Sequence, residues 1–394
     1  MKILYLVDGH VLRMGGAELQ AFNLAKQLKS MGHDVNIVAP YLDRDSTQLT
    51  SRKGIEVRQL GYWKIPKLSN LFYMIRFAWF LRQEAHKYDA IHIHMVHKMA
   101  AVTGLLRQYT PYPVVAKVSG AYELYDGDPA NSAHIGSLQY WLYKALTKLD
   151  YFQAISDDTC QRLAKAGIAR EKILAIPNGV DTEKFAPSKT LHEGSPDGKI
   201  VICYCGRLVA VKGLETLIEA AAILQQQFPD QFEIHLNGDG TLRDTLQQQV
   251  QAHQLESVVL FKGRTDDVAD ALQKAHVYVQ VSHYEGLSNA VLEAMSSGLP
   301  LVLSAAGGNP DVVTHGNNGL LIEPGNAAEL AKGLSTLIES REICRSMGIR
   351  SRDRAVSEYS LTSVAARLLE LYRGSYKNSV IDSSASSESE NPML

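Results

Sequence analysis

The chain has 394 residues, 45% of them hydrophobic and 21% charged, with a formal net charge of −2. At roughly 100–200 residues per domain, that length predicts two domains, and the near-neutral balance gives nucleic acid no electrostatic footprint. No stretch approaches the roughly 20 apolar residues that cross a bilayer.

The opening MKILYLVDGH is too short for a targeting core and reads as a first β-strand, so the expected location is the cytoplasm. ILYLV (3–7) leads into a helical pattern near 16–31, and VNIVA (35–39), IHI (91–93), VVAKV (114–118) and YFQAI (151–155) continue as strands with helix-like segments between them. Such alternation predicts parallel strands joined by helical crossovers. Within it, 62–87 sets Lys64, Lys67, Arg76, Arg82 and Lys87 against Glu84 alone, interleaved with Trp63, Phe72, Phe77, Trp79 and Phe80. That composition suits either a helix lying on an anionic membrane surface or one packing its aromatics on the sheet.

The alternation breaks at IPNGVDTEKFAPSKTLHEGSPDG, rich in turn-forming residues, and resumes with KIVICYC (199–205), EIHLN (233–237), VVLFKG (258–263), VYVQV (277–281) and LPLVLS (299–304). Two doubly wound α/β domains facing a central cleft are therefore expected, 1–185 and 199–358, with a linker over 186–198. A helix over 359–376 closes the fold, and the Ser-rich, acidic tail 377–394 is expected to be disordered. Cys160, Cys203, Cys205 and Cys344 show no paired metal spacing and read as free thiols in a reducing compartment.

In such sheets ligands bind beyond the carboxyl ends of the strands. CGRLVAVKG (205–213) puts Arg207 and Lys212 there, before a helix starting near Gly213, where two cations and helix N-terminal amides suit a diphosphate. HYEGLSNAVLEAMSSG (283–298) puts Glu285 and Gly286 in a loop, Ser288 or Asn289 at a helix cap, and Glu293 among apolar neighbours. Eight residues of helix rise about 12 Å, the reach from one end of a nucleotide-sugar to its ribose. A ribose diol offers two donors to one carboxylate, which accounts for Glu293 in apolar company. Taken singly, each of these residues also has a plain structural reading as a cap, an ion pair or a surface charge.

Paired glycines at Gly15 and Gly16, the turn at Gly238, AAGGNPDVV (305–313) and FKGRTDDV (261–268), which contains Arg264, complete the strand-to-helix turns. None matches a phosphate loop with Gly-Lys-Ser/Thr or Gly-x-Gly-x-x-Gly, which weighs against ATP hydrolysis and NAD redox chemistry. IHIHMVHK (91–98) invites a zinc reading, but Val96 stands where a metal hydrolase needs an acid, so no metal is expected. His94, at its strand's end, is expected to face a cleft rather than the core.

Taken together, GGAE (15–18), IPNGVDTEKFAP (176–187), GRLVAVKG (206–213), NGDG (237–240) and EGLSNAVLEAMSSGLP (285–300) resemble the retaining glycosyltransferases of family four, which have the GT-B fold. The resemblance covers the chain to about residue 375. It implies that Arg207 and Lys212 bind the donor diphosphate, Glu293 holds the ribose hydroxyls and Glu285 contacts the transferred sugar. It also implies that the backbone of Gly286, Leu287, Ser288 and Asn289 lies near the sugar hydroxyls and distal phosphate. Gly238 and Arg264 join the donor-binding set, 261–265 meets the base, and Gly15 and Gly16 close on the phosphates from the other domain. Family enzymes retain the anomeric configuration and usually need neither metal nor cofactor.

Many relatives carry a histidine just after the strand corresponding to VVAKV, where this chain has Lys117 and Ser119. Ser119, or His94 from the adjacent strand, is the candidate replacement. The implied partners are a nucleotide-sugar donor, UDP-linked, and a saccharide or lipid-linked acceptor in polysaccharide or lipopolysaccharide biosynthesis. An anionic membrane surface is a further partner only on the first of the two readings of 62–87. The missing histidine keeps a second reading open, a catalytically silent nucleotide-sugar binder. A sugar-nucleotide epimerase finds no support in the Glu-x7-Glu spacing.

Overall fold

The computed structural model describes residues 1–9, 15–40, 48–52, 54–63, 65–66, 68–119, 144–188 and 198–376. Lys64, Lys67, linker residues 189–197 and the tail 377–394 lie outside them. The chain divides into two units, Met1–Asn178 with Val364–Leu394, and Gly179–Ser363.

In the first unit, β1 (Lys2–Val7), β2 (Asp34–Pro40), β3 (Gln48–Arg52), β4 (Ile55–Leu60), β5 (Ala90–His94), β6 (Val114–Val118), β7 (Tyr151–Ala154) and β8 (Ile173–Ala175) form one sheet. Among the described residues its order is β3-β4-β2-β1-β5-β6-β7-β8, parallel throughout except for the β3–β4 pair. The central strands are buried along their length, as in a sheet covered on both faces; β1 is mostly apolar, whereas β5 (AIHIH) and β6 (VVAKV) also bury His92, His94 and Lys117. β3, β4 and β8 escape that pattern. β3 is the polar edge QLTSR, β4 alternates as IEVRQL, and β8 is three residues long.

The second unit repeats the plan with β9 (Ile200–Cys205), β10 (Phe232–Asn237), β11 (Val259–Gly263), β12 (Val277–Gln280), β13 (Leu301–Ser304) and β14 (Gly319–Ile322). The order is β11-β10-β9-β12-β13-β14, all parallel. The chain runs outward from β9 through β10 to β11, then returns to lay β12 against the other side of β9. The carboxyl ends of β9 and β12 therefore flank the point where strand order reverses, the crevice-forming position of an open α/β sheet.

The boundary lies at Asn178/Gly179 rather than after 185. Val180 donates its amide to the Tyr359 carbonyl at 2.8 Å and accepts from the Leu361 amide at 2.9 Å. Phe185 is buried, and its carbonyl accepts from Ser296 Oγ at 2.8 Å and Arg352 Nη1 at 3.2 Å. These bonds tie 179–185 to the second unit. The closing helix is Leu361–Tyr372, and from Val364 onward it belongs to the first unit, where the Tyr372 hydroxyl meets His92 Nδ1 at 2.5 Å and the Tyr5 hydroxyl at 3.4 Å.

Candidate functional site

Arg207 and Lys212 follow β9 in the loop before the helix Leu214–Gln227, whose N-cap is Gly213. The Arg207 guanidinium is exposed and has no hydrogen-bond or ion-pair partner among the described residues. Its backbone is held from below, where the Tyr204 hydroxyl donates to the Arg207 carbonyl at 2.9 Å. From the side, the Leu208 amide donates to the Asp239 carbonyl at 3.0 Å. Gly238 makes that second contact sterically feasible. Its φ is +159°, and a Cβ there would collide with the Gly206 carbonyl oxygen.

Glu285 follows β12, and the Lys212 ammonium forms an ion pair with its Oε2. Gln280, the last residue of β12, donates Nε2 to the same oxygen at 3.3 Å. Its Oε1 accepts from the Tyr278 hydroxyl at 3.2 Å and from Ser288 Oγ at 3.0 Å. The Glu285 backbone is pinned as well, because the Gly308 amide donates to its carbonyl at 3.1 Å. Gly307, at φ +56°, lies where any Cβ would strike that carbonyl. Gly307 and Gly308 therefore serve to seat the Glu285 backbone.

The helix after Glu285 is Asn289–Ser296, with Ser288 at its N-cap position. Ser288 does not cap with its side chain, because its hydroxyl is committed to Gln280. Glu285 through Ser288 form a loop, as expected, so the reach of about 12 Å taken from eight helical residues does not apply between the two glutamates. Glu293 sits in the second turn of that helix, partly buried beside Val291, Leu292 and Ala294, with no side-chain partner among the described residues. Burial pushes its carboxyl up to about 7, against a smaller opposing pull from the Lys184 charge. A carboxylate so placed is short of donors, which is the condition a diol satisfies. Arg264 is exposed in the turn after β11 and Gly238 in the turn after β10, on the same carboxyl side of the sheet as Arg207.

In the first unit, Gly15 N-caps the helix Gly16–Ser30, but its amide already donates to Glu18 Oε2 at 3.0 Å, so the acid of GGAE occupies the donor expected for a phosphate. Ser119 follows β6 directly and is partly buried. His94 is a core histidine and not the cleft-facing residue expected. It is fully buried, its ring lies 4.7 Å from Tyr5 and 4.5 Å from His92, and both ring nitrogens lack a partner among the described residues. Burial, reinforced by the nearby His92 and Lys117, holds it well below the ordinary imidazole range. The alternating pattern of β5 puts His92 and His94 on one face, and the closing helix with Tyr372 lies against that face. Among the described residues no group of three His, Cys, Asp or Glu is arranged to hold a metal ion.

Sequence reasoning missed Gln280, Tyr278 and Lys184. The signal for Gln280 was present, an amide in the otherwise apolar run VYVQV. A polar side chain buried in a strand needs partners. Lys184 carried no such signal, because its proximity to Glu293 depends on how 179–185 fold onto the second unit.

Two family models match the chain, Glycosyltransferase Family 4 over residues 14–184 and Glycosyl transferases group 1 over residues 189–354. The putative glycosyltransferase EpsD of Bacillus subtilis is 25% identical over 377 residues, covering 90% of this chain and 93% of that protein. The N-acetyl-alpha-D-glucosaminyl L-malate synthase of Bacillus anthracis is 22% identical over 91% of this chain and 94% of its own length. Among solved structures, HepE of Anabaena in complex with UDP superposes with a TM-score of 0.77 at 24% identity, covering 95% of this chain and 100% of that one. Sucrose-phosphate synthase of Thermosynechococcus elongatus superposes with the same TM-score at 22% identity, covering 95% and 99%.

Proposed function

We propose a reaction for a chain that belongs to the family 4 glycosyltransferases and has their GT-B fold: it moves a hexose from a UDP-sugar to a saccharide or lipid-linked saccharide, with retention at the anomeric carbon. The observation that carries this reading is the pairing of Lys212 with Glu285 at the switch point between β9 and β12, with Arg207 unpartnered beside it. Support for the nucleotide comes from HepE, crystallised with UDP and with UDP-glucose.

In this reading Arg207 and Lys212 bind the diphosphate and stabilise the charge that grows on it as the anomeric C–O bond breaks. Their fixed charges supply the electrostatic work, so neither metal nor cofactor is required. Glu293 accepts from the two ribose hydroxyls, and Glu285 orients the sugar with the backbone of Gly286 to Asn289. The acceptor oxygen attacks from the face the diphosphate leaves, and a donor phosphate oxygen takes its proton.

The chain acts at a membrane surface in this reading. The helix Ser69–Glu84 turns Leu71, Ile75 and Trp79 to solvent beside Arg76, and Trp63, Ile65 and Leu68 are exposed just before it. Large apolar side chains grouped among cations suit the boundary of an anionic bilayer. No helix among the described residues is long and apolar enough to cross one.

A thermal-shift screen of UDP-, GDP- and ADP-sugars identifies the donor, since ligand stabilisation follows mass action. Lys212→Ala and Glu293→Ala should each lower donor hydrolysis and transfer at least tenfold, since each removes a charged contact of about 1.5–3 kcal/mol. Activity should survive EDTA. Near-wild-type turnover in both variants sinks the donor-site assignment, and donor binding without any hydrolysis or transfer favours a silent nucleotide-sugar binder.

A further inference from the structure

Two donors meet one oxygen of Glu285. The Lys212 ammonium and the Gln280 amide nitrogen both approach Oε2, and Oε1 has no partner among the described residues. An ionised carboxylate only accepts, so Gln280 must present nitrogen to it and oxygen to the Tyr278 and Ser288 hydroxyls. Both hydroxyls then donate to Oε1 of Gln280, at 3.2 and 3.0 Å. Gln280, Tyr278 and Ser288 are all buried, so the amide cannot rotate without stranding several polar groups. Of the two acceptors within reach of the single Tyr278 proton, Gln280 Oε1 at 3.2 Å is closer than the Cys205 carbonyl at 3.4 Å.

We propose that Gln280 is a positioning residue that holds the Glu285 carboxylate with Oε1 open to a hydroxyl of the transferred sugar when Lys212 is drawn to the donor diphosphate. The proposal rests on the donor-site reading above. Lys212 cannot serve a diphosphate and remain the sole tie on Glu285, because a flexible four-carbon stem carrying one point charge follows the stronger anion. Gln280 has no such conflict. It is neutral, rooted in a central strand, and its far end is clamped by two hydroxyls. It also makes the arrangement specific to the sugar half of the donor, since UDP alone offers nothing to Glu285.

The test compares Gln280→Leu, Gln280→Glu and the Tyr278→Phe/Ser288→Ala double variant with the wild-type chain. Each is measured for UDP affinity and for hydrolysis of whichever of UDP-glucose, UDP-galactose and UDP-N-acetylglucosamine the wild type turns over fastest. Gln280→Leu should leave the UDP Kd within about twofold and lower kcat about tenfold or more, the size expected for a lost bond to a charged group. The double variant should lower kcat by a smaller factor in the same direction. Gln280→Glu sets two carboxylates side by side, so its activity should recover as the pH is lowered and one proton is shared, a profile the wild type lacks.

Unchanged kcat in Gln280→Leu and Gln280→Glu overturns the proposal. So does equal loss of UDP and UDP-sugar binding in all three variants, which would make Gln280 a packing residue only. If the wild type neither binds UDP nor turns over any of the three donors, the functional reading falls instead. The restraint is then read from crystal structures of wild type and Gln280→Leu, where an unmoved Glu285 carboxylate overturns it.

Discussion

Glu293 is the residue whose environment conflicts most with its chemistry. In the folded chain its carboxyl keeps a proton up to about 7, whereas an unfolded chain releases it near the ordinary 4.5. Between those values the folded state binds more protons than the unfolded one, so its stability falls as pH rises through the window. The loss is roughly 2–3 kcal/mol by pH 8, allowing for partial exposure. Glu293→Gln should therefore match wild type in denaturant unfolding at pH 5 and exceed it at pH 8. A variant-to-wild-type difference that does not change with pH would refute this. In the proposed reading two ribose hydroxyls donate to the charged form and relieve this cost, so nucleotide binding should be accompanied by proton release. Glu285 differs in its partners, since Lys212 and Gln280 both donate to its Oε2.

At the scale of single elements, the helix Ser69–Glu84 shows how one sequence serves two faces. Tyr73, Phe77, Phe80 and Leu81 are buried against the sheet, as the packing reading expected, and the Phe77 and Phe80 rings stack on each other with centroids 6.5 Å apart. Leu71, Ile75 and Trp79 recur every four residues on the other side and are 50%, 56% and 55% exposed. Both readings of the segment thus find residues that suit them, and only the outer stripe bears on a membrane. Vesicles of phosphatidylglycerol should carry the protein upward in flotation, vesicles of phosphatidylcholine should not, and Ile75→Ser/Trp79→Ser should abolish the difference. Since those side chains are exposed, the double variant should fold like the parent. Flotation that is independent of lipid charge, or unaffected by the double variant, removes the membrane role.

At the scale of the whole molecule, the closing helix Leu361–Tyr372 is divided between units at Ser363/Val364. Its inward residues Val364, Ala365, Leu368, Leu369, Leu371 and Tyr372 are all buried. Each large one is worth about 1.5–3 kcal/mol, and together they rival the roughly 5–15 kcal/mol that holds a domain. A chain ending at Ser363 should therefore lose hydrogen-exchange protection across β1, β5 and β6 while β9 and β12 keep theirs. Equal protection in both units after truncation would mean that the helix only decorates the first. His92 adds to the dependence. Burial and the Lys117 charge lower its pKa to about 3, and its Nδ1 is satisfied by Tyr372.

Sequence alone determined the alternation of strands and helices, the two-unit plan, and the polar residues placed just beyond β9 and β12. Those features follow from local periodicity and from turn residues, which each segment carries by itself. It also determined that Glu293 was out of place, since a carboxylate among Val, Leu and Ala is anomalous in any fold. Only tertiary structure decided that 179–185 pack with the second unit, that His94 is buried against Tyr5 and His92, and that Gly307 and Gly308 seat the Glu285 backbone. The same holds for Gln280, whose role depends on residues 278, 285 and 288 meeting in space. Such facts are relations between segments distant in sequence or turned across a loop, and no single segment's composition encodes them.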